Sequence, residues 1–288
     1  MSWWDDVFHR AMVAAVLVGL LAGLIGVQVV LRRLSFFTMA MSHATFPGVV
    51  AASIIGLNIY LGGAVAGLVV AIGVAALSRA RGQDAAAATG VILAGGFALG
   101  IGLVATQNGF SRDLSSFLVG SILTVSTGDL LMIAAVLGVV ALVLTVGARQ
   151  LLFVGFDRVG ARAAGYRPGL VDLVLLVLIE LVIVAVVPVV GTILTLALVV
   201  APAAAGRAWS DRIGVITALA MVFGAVSGVV GLLVSSAYDV AAGAAITLVA
   251  TAILVLSLIG GHWLRPVPRV RGSGLDTVGP AVAGSGGK

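Results

Sequence analysis

AMVAAVLVGLLAGLIGVQVVL, residues Ala11–Leu31, runs for 21 positions without a single charged side chain. An α-helix rises about 1.5 Å per residue, so roughly 20 apolar residues cross a hydrocarbon layer about 30 Å thick. The run is longer than the core of a cleaved leader, and Asp5 and Asp6 flank it where a leader would be basic. It reads as a retained membrane span.

Similar runs recur along the chain. Hydrophobic residues make up 61% of the 288 and charged residues 9%, against roughly 25% charged in an average soluble domain. Alternation of apolar and polar residues over about ten positions, the mark of a membrane β-strand, is missing. The fold class is therefore all-α, a polytopic transmembrane helical bundle. Nine spans are expected, at about 11–31, 35–57, 61–79, 86–107, 128–148, 169–187, 190–208, 212–235 and 240–261. Residues 108–127 fit none of them, and Leu114–Ile122 reads as a short surface helix or a partial dip into the bilayer. Residues 1–263 form the membrane domain. The tail 264–288, rich in Gly, Pro and Ser with scattered basic residues, is expected to be disordered in the cytoplasm.

Fourteen Lys and Arg side chains fall on one side of this arrangement and two, Arg10 and Arg112, on the other. Basic residues stay in the cytoplasm, which puts the N-terminus outside and the C-terminus inside. The same rule accounts for the net charge of +5 without any basic patch, so nucleic acid is not an expected partner. The lipid bilayer of the cell membrane is. Pairs such as Gly19–Gly23, Gly63–Gly67, Gly96–Gly100 and Gly224–Gly228 suit close helix contacts.

Chemistry is bounded first by what is missing. There is no cysteine, and the only lysine is Lys288, so neither thiolate metal sites nor a phosphate-binding G-x-x-x-x-G-K-[ST] loop can occur. The chain is not read as an enzyme, and ATP-driven work would need a separate ATP-binding subunit. The longest cytoplasmic loop, 149–168, offers Asp157 as a helix N-cap, Arg158 and Arg162 one turn apart, and Gly165 with Pro168 as a stop. It reads either as a loop obeying the charge rule or as a short basic helix that docks an ATPase.

Within the second span lies Met39-Ala-Met-Ser-His43-Ala-Thr-Phe-Pro47-Gly48. Ionisable groups at membrane depth are costly and usually face a cavity or a partner. Pro47 lacks an N–H, which frees the carbonyl of residue 43, so His43 offers an imidazole nitrogen and a carbonyl oxygen together. Met39, one turn earlier on the same face, adds a soft thioether. A structural histidine bonded to a neighbouring Ser or Thr is the competing reading. Glu180, the sole glutamate, falls near the middle of the sixth span and is a candidate cation ligand, proton relay or buried neutral group. Asp172, nearer the cytoplasmic end, reads as a solvated charge.

In this order the motifs resemble those of the permeases of ABC importers for zinc, manganese and iron. The resemblance is carried by Arg32-Arg33-Leu34-Ser35, Ser42-His43-Ala44-x-x-Pro47-Gly48, Leu118–Leu123, Phe156-Asp157 with Ala161 and Gly165, Gly191–Leu194, Ala201–Ala204, and Tyr238-Asp239 with Gly243-Ala244. It implies a pore formed with a second permease copy or a paralogue, an ATPase below, and a metal-binding lipoprotein above. His43 would then line the path of a transported divalent ion, with no permanently bound cofactor, and Asp157, Arg158, Arg162 and Gly165 would belong to a coupling helix. Many relatives carry Asp where this chain has Met39, and a thioether in place of a carboxylate leans away from manganese toward zinc. A siderophore or cobalamin permease and a proton-coupled transporter using Glu180, His43 and Asp172 are the alternatives.

Overall fold

With no Pro in its interior and no charge between Ala11 and Leu31, the first apolar run becomes α1, Val7–Leu31, the helix around which the others gather. The computed structural model of the chain describes residues 7–80, 85–105 and 122–264, and their regular structure is entirely helical. After α1 come α2 (Ser35–Ala44), α3 (Phe46–Ile54), α4 (Ile59–Ala80) and α5 (Ala85–Ala105). A single 3-10 turn at Ile122–Thr124 precedes α6 (Thr127–Val146), α7 (Ala148–Phe156) and α8 (Arg158–Ala163). The chain continues through α9 (Pro168–Val190), α10 (Thr192–Trp209), α11 (Ile213–Tyr238) and α12 (Ala242–Leu264). The tail beyond Leu264 and most of 108–127 lie outside the described residues.

Six of the described helices, α1, α6, α9, α10, α11 and α12, are long and apolar enough to cross a membrane. Two departures from the sequence reading matter. The single span expected over 35–57 is two helices, α2 and α3, that meet at Thr45. Pro47 stands in the first turn of α3, the one place in a helix where a missing N–H costs nothing, and so it starts a new helix there. The loop 149–168 also holds two helices, α7 and α8, rather than one.

Two apolar helices in lipid gain nothing from hydrophobic burial against each other, and the contacts that hold them depend on close approach. Antiparallel α1 and α11 cross with backbones touching. A Cβ on Gly19 would overlap the carbonyl of Gly224, and one on Gly224 would overlap that of Gly19. One turn either way, Gly23 lies on the carbonyl of Ala220 and Gly228 on that of Ala15. Gly26 makes the same kind of contact with Val199 of α10. A second notch joins α3 to α4, where Gly48 and Gly62 each occupy space the other's Cβ would need. At the start of α6, Ser126 and Asp129 cap each other, and Asp129 also accepts a hydrogen bond from Tyr60 of α4.

Gly224→Ala must therefore push α1 and α11 apart. Overpacking of this kind costs roughly 1–3 kcal/mol, and the detergent-solubilised protein should melt several degrees lower. Gly138→Ala on α6, where a Cβ meets nothing within 4 Å, should not lower the melting temperature.

Candidate functional site

Helix α2 buries one side and leaves the other open. Phe37, Ala40, Met41 and Ala44 pack inward, while Phe36, Met39 and His43 follow one another on a face that the other described residues leave largely open. Met39 is 40% exposed and His43 half-buried. The i, i+3, i+7 spacing makes this a single stripe. The imidazole of His43 meets Phe97 of α5 edge to face, with ring centroids 5.8 Å apart and an interplanar angle of 82°. Phe97 in turn lies 6.2 Å from the ring of Phe46, which fills the notch left by Gly100.

The neighbouring hydroxyls are already committed to the backbone. Ser42 donates to the carbonyl of Thr38 at 3.0 Å, Thr38 to Leu34 at 3.1 Å and Thr45 to Ser42 at 3.3 Å. Serine and threonine in a membrane helix satisfy themselves in this way, so none of the three holds the His43 ring. The ring packs on Phe97, and among the described residues no hydrogen bond engages its nitrogens.

Glu180 is elsewhere. Its side chain, 4% exposed, lies inside the bundle between α9 and α4, and neither carboxyl oxygen has a hydrogen-bond partner. Gly67 makes the space, since a Cβ there would overlap the carboxyl group. The structure thus unites Met39 with His43 and does not bring Glu180 to their face. A proton relay through Glu180, His43 and Asp172 has no hydrogen-bonded links among the described residues. Nor do three or more His, Asp or Glu side chains converge there as a metal cage.

The loop after α6 is built as its residues suggest. The Asp157 carboxylate accepts hydrogen bonds from the N–H groups of Val159 at 3.0 Å and Gly160 at 2.8 Å, which caps α8. At the other end Gly165 takes φ 85°, and the N–H groups of Gly165 and Tyr166 return to Arg162 and Ala161 in a Schellman closure. Tyr166 also packs against Phe153 of α7, ring centroids 5.9 Å apart. Phe156 and Val159, each 78% exposed, stand beside the cap. Basic charge drew attention to this loop in the sequence; its apolar tip becomes visible only once the cap turns both side chains outward.

Asp172 is not a free solvated charge. Its Oδ1 accepts from Arg32 Nη1 at 2.9 Å, and its Oδ2 pairs with Arg158. Burial lowers the pKa of Arg32, and the adjacent carboxylate counters part of that shift. Arg162 and Arg167 instead line an open cavity of about 470 Å³ with Pro168, Gly169, Leu170 and Leu173.

The sequence profile of the ABC 3 transport family matches residues 4–261. The chain belongs to the ABC 3 transport family. A manganese transport system membrane protein, MntC, of Halalkalibacterium halodurans is 35% identical over 249 residues, covering 86% of this chain and 85% of that one. A zinc transport system membrane protein, TroC, of Treponema pallidum is 34% identical over 269 residues, 89% of this chain and 90% of the relative. Among solved structures, PsaBC from Streptococcus pneumoniae in complex with Fab superposes with a TM-score of 0.79 at 33% identity, over 87% of this chain and 90% of that one.

The notch holding Glu180 can be tested by a double-mutant cycle. Gly67→Ala should lower the melting temperature of the wild-type permease more than that of the Glu180→Ala permease, with a coupling of roughly 0.5–3 kcal/mol. Equal losses in both backgrounds would remove Glu180 from that contact.

Proposed function

We propose that the chain is the membrane permease subunit of an ATP-driven importer of divalent transition-metal ions of the manganese, zinc and iron class. The observation that carries this reading is the pairing of Met39 and His43 on the uncovered face of α2. Imidazole binds borderline transition metals and thioether the softer ones, and neither is engaged by a hydrogen bond among the described residues. The relatives named for manganese and zinc transport support the same class of cargo.

The described residues of one chain supply too few ligands to hold an ion. In this reading the α2 face turns toward a second permease copy or a paralogue, and the ion passes between the two sets of side chains. Weak, incomplete coordination suits conduction, because a site on a path must release what it binds. The membrane domain makes nine spans, counting α2–α3 as one and including α4 and α5, with the N-terminus outside the cell membrane and the C-terminus in the cytoplasm. A metal-binding lipoprotein delivers the ion from outside. A cytoplasmic ATPase docks on α8 and the end of α7, where Phe156 and Val159 give an apolar anchor and Arg162 a basic rim. Glu180 packs the interior rather than touching the ion.

Radiolabelled zinc and manganese uptake, normalised to the amount of permease in the membrane, tests the path. His43→Ala should cut uptake at least about tenfold, the scale of a lost ligand contact, while the nearby packing change Ala44→Ser should cost far less. Met39→Asp supplies a hard oxygen and should shift preference toward manganese. Wild-type uptake of both metals by His43→Ala would make this histidine structural and remove the α2 face from the path.

A further inference from the structure

We propose that the Arg32–Asp172 ion pair is the mechanical joint between the cytoplasmic loop and the helix that carries His43, with Asp172 the positioning residue at its centre. This rests on the reading of α8 as the ATPase-docking helix and deepens it by naming how movement there reaches the path.

Four elements meet at this point. Arg32 lies in the turn between α1 and α2, Asp172 in α9, Leu151 in α7 and Arg158 at the start of α8. The Arg32 guanidinium spends one nitrogen on Asp172 at 2.9 Å and another on the carbonyl of Leu151 at 2.6 Å. Gly155 of α7 lies beside the guanidinium, where a Cβ would make ordinary contact with Arg32 Nε at 3.6 Å. The second oxygen of Asp172 takes Arg158. One carboxylate thus holds both the root of the His43 helix and the first residue of the docking helix.

The two arms differ in strength. Arg32 and Asp172 are only 12% and 27% exposed, so their attraction is poorly screened and neither can be left unpaired cheaply. Arg158 is 64% exposed, and its pairing is the weaker arm. The turn that bears Arg32 is also stiff. Arg33 sits in the left-handed region at φ 58°, and the N–H groups of Arg33 and Leu34 return to Val30 and Val29, closing α1 with a Schellman motif before α2 starts at Ser35. A displacement of α7 and α8 therefore bears on the base of α2 directly.

The test uses the complete importer, reconstituted with its ATPase and binding protein, and measures ATPase retention, ATP hydrolysis and metal uptake in each variant. Asp172→Asn should keep the ATPase bound and hydrolysing while uptake per ATP falls about tenfold, the scale of a lost coupling between sites. Arg158→Gln, which removes the exposed arm alone and leaves the folded core untouched, should lower the same ratio about threefold. If both arginines act through Asp172, the double variant Arg32→Gln with Arg158→Gln should be little worse than Arg32→Gln alone. An unchanged ratio in Asp172→Asn, losses that multiply in the double variant, or ATPase release from Asp172→Asn would each overturn the joint. Failure of the wild-type permease to retain an ATPase would instead overturn the docking reading, so the two failures are distinct.

Discussion

Contact between the backbones of α1 and α11 is the constraint on which the rest of the molecule hangs. In hydrocarbon there is no water to expel between two apolar helices, and their attraction depends on how closely the chains can come. Gly19 on Gly224, flanked by Gly23 on Ala220 and Gly228 on Ala15, brings them to that limit. Gly26 on Val199 then adds α10. With α1 held on two sides, its C-terminal end is a fixed point. Arg32 projects from that end, and α2 departs from it after a turn with no slack. The base of the helix that carries His43 is thus set by a glycine crossing, and its ring packs on Phe97.

Much of this was legible in the residues. Uncharged runs of 20 or so positions announce spanning helices because lipid allows few other backbones. Asp157 and Gly165 announce α8 because capping is local chemistry, complete within nine residues. The same holds for the stripe of Met39 and His43, which follows from helical spacing. Pro47 marked a disturbance, but whether a proline kinks one helix or starts another depends on what receives the freed carbonyls, and that is a tertiary matter.

What sequence reasoning misplaced or left open depends on partners far along the chain. Asp172 reads as a solvated charge until Arg32, 140 residues away, folds onto it. Glu180 reads by depth as a cation ligand, a proton relay or a buried neutral group, and rotation about the α9 axis decides that the neighbour it meets is Gly67. Phe97 carries no signal at all in an apolar run; only the register of α5 against α2 turns it toward His43. Gly67, which the sequence pairs with Gly63, makes the space for Glu180 through a helix packing that no local pattern states.

Whether the uncovered face of α2 meets water or lipid tests the account most directly. The chain has no cysteine, so Met39→Cys introduces a unique thiol on that face, and Leu256→Cys on α12, 67% exposed, gives a lipid-facing reference. Both can be treated with a membrane-impermeant maleimide in the assembled importer, with and without zinc. The account predicts that Met39→Cys is labelled, that Leu256→Cys is not, and that zinc slows labelling at position 39. A thiol at position 39 as unreactive as the one at 256, with or without metal, would contradict it.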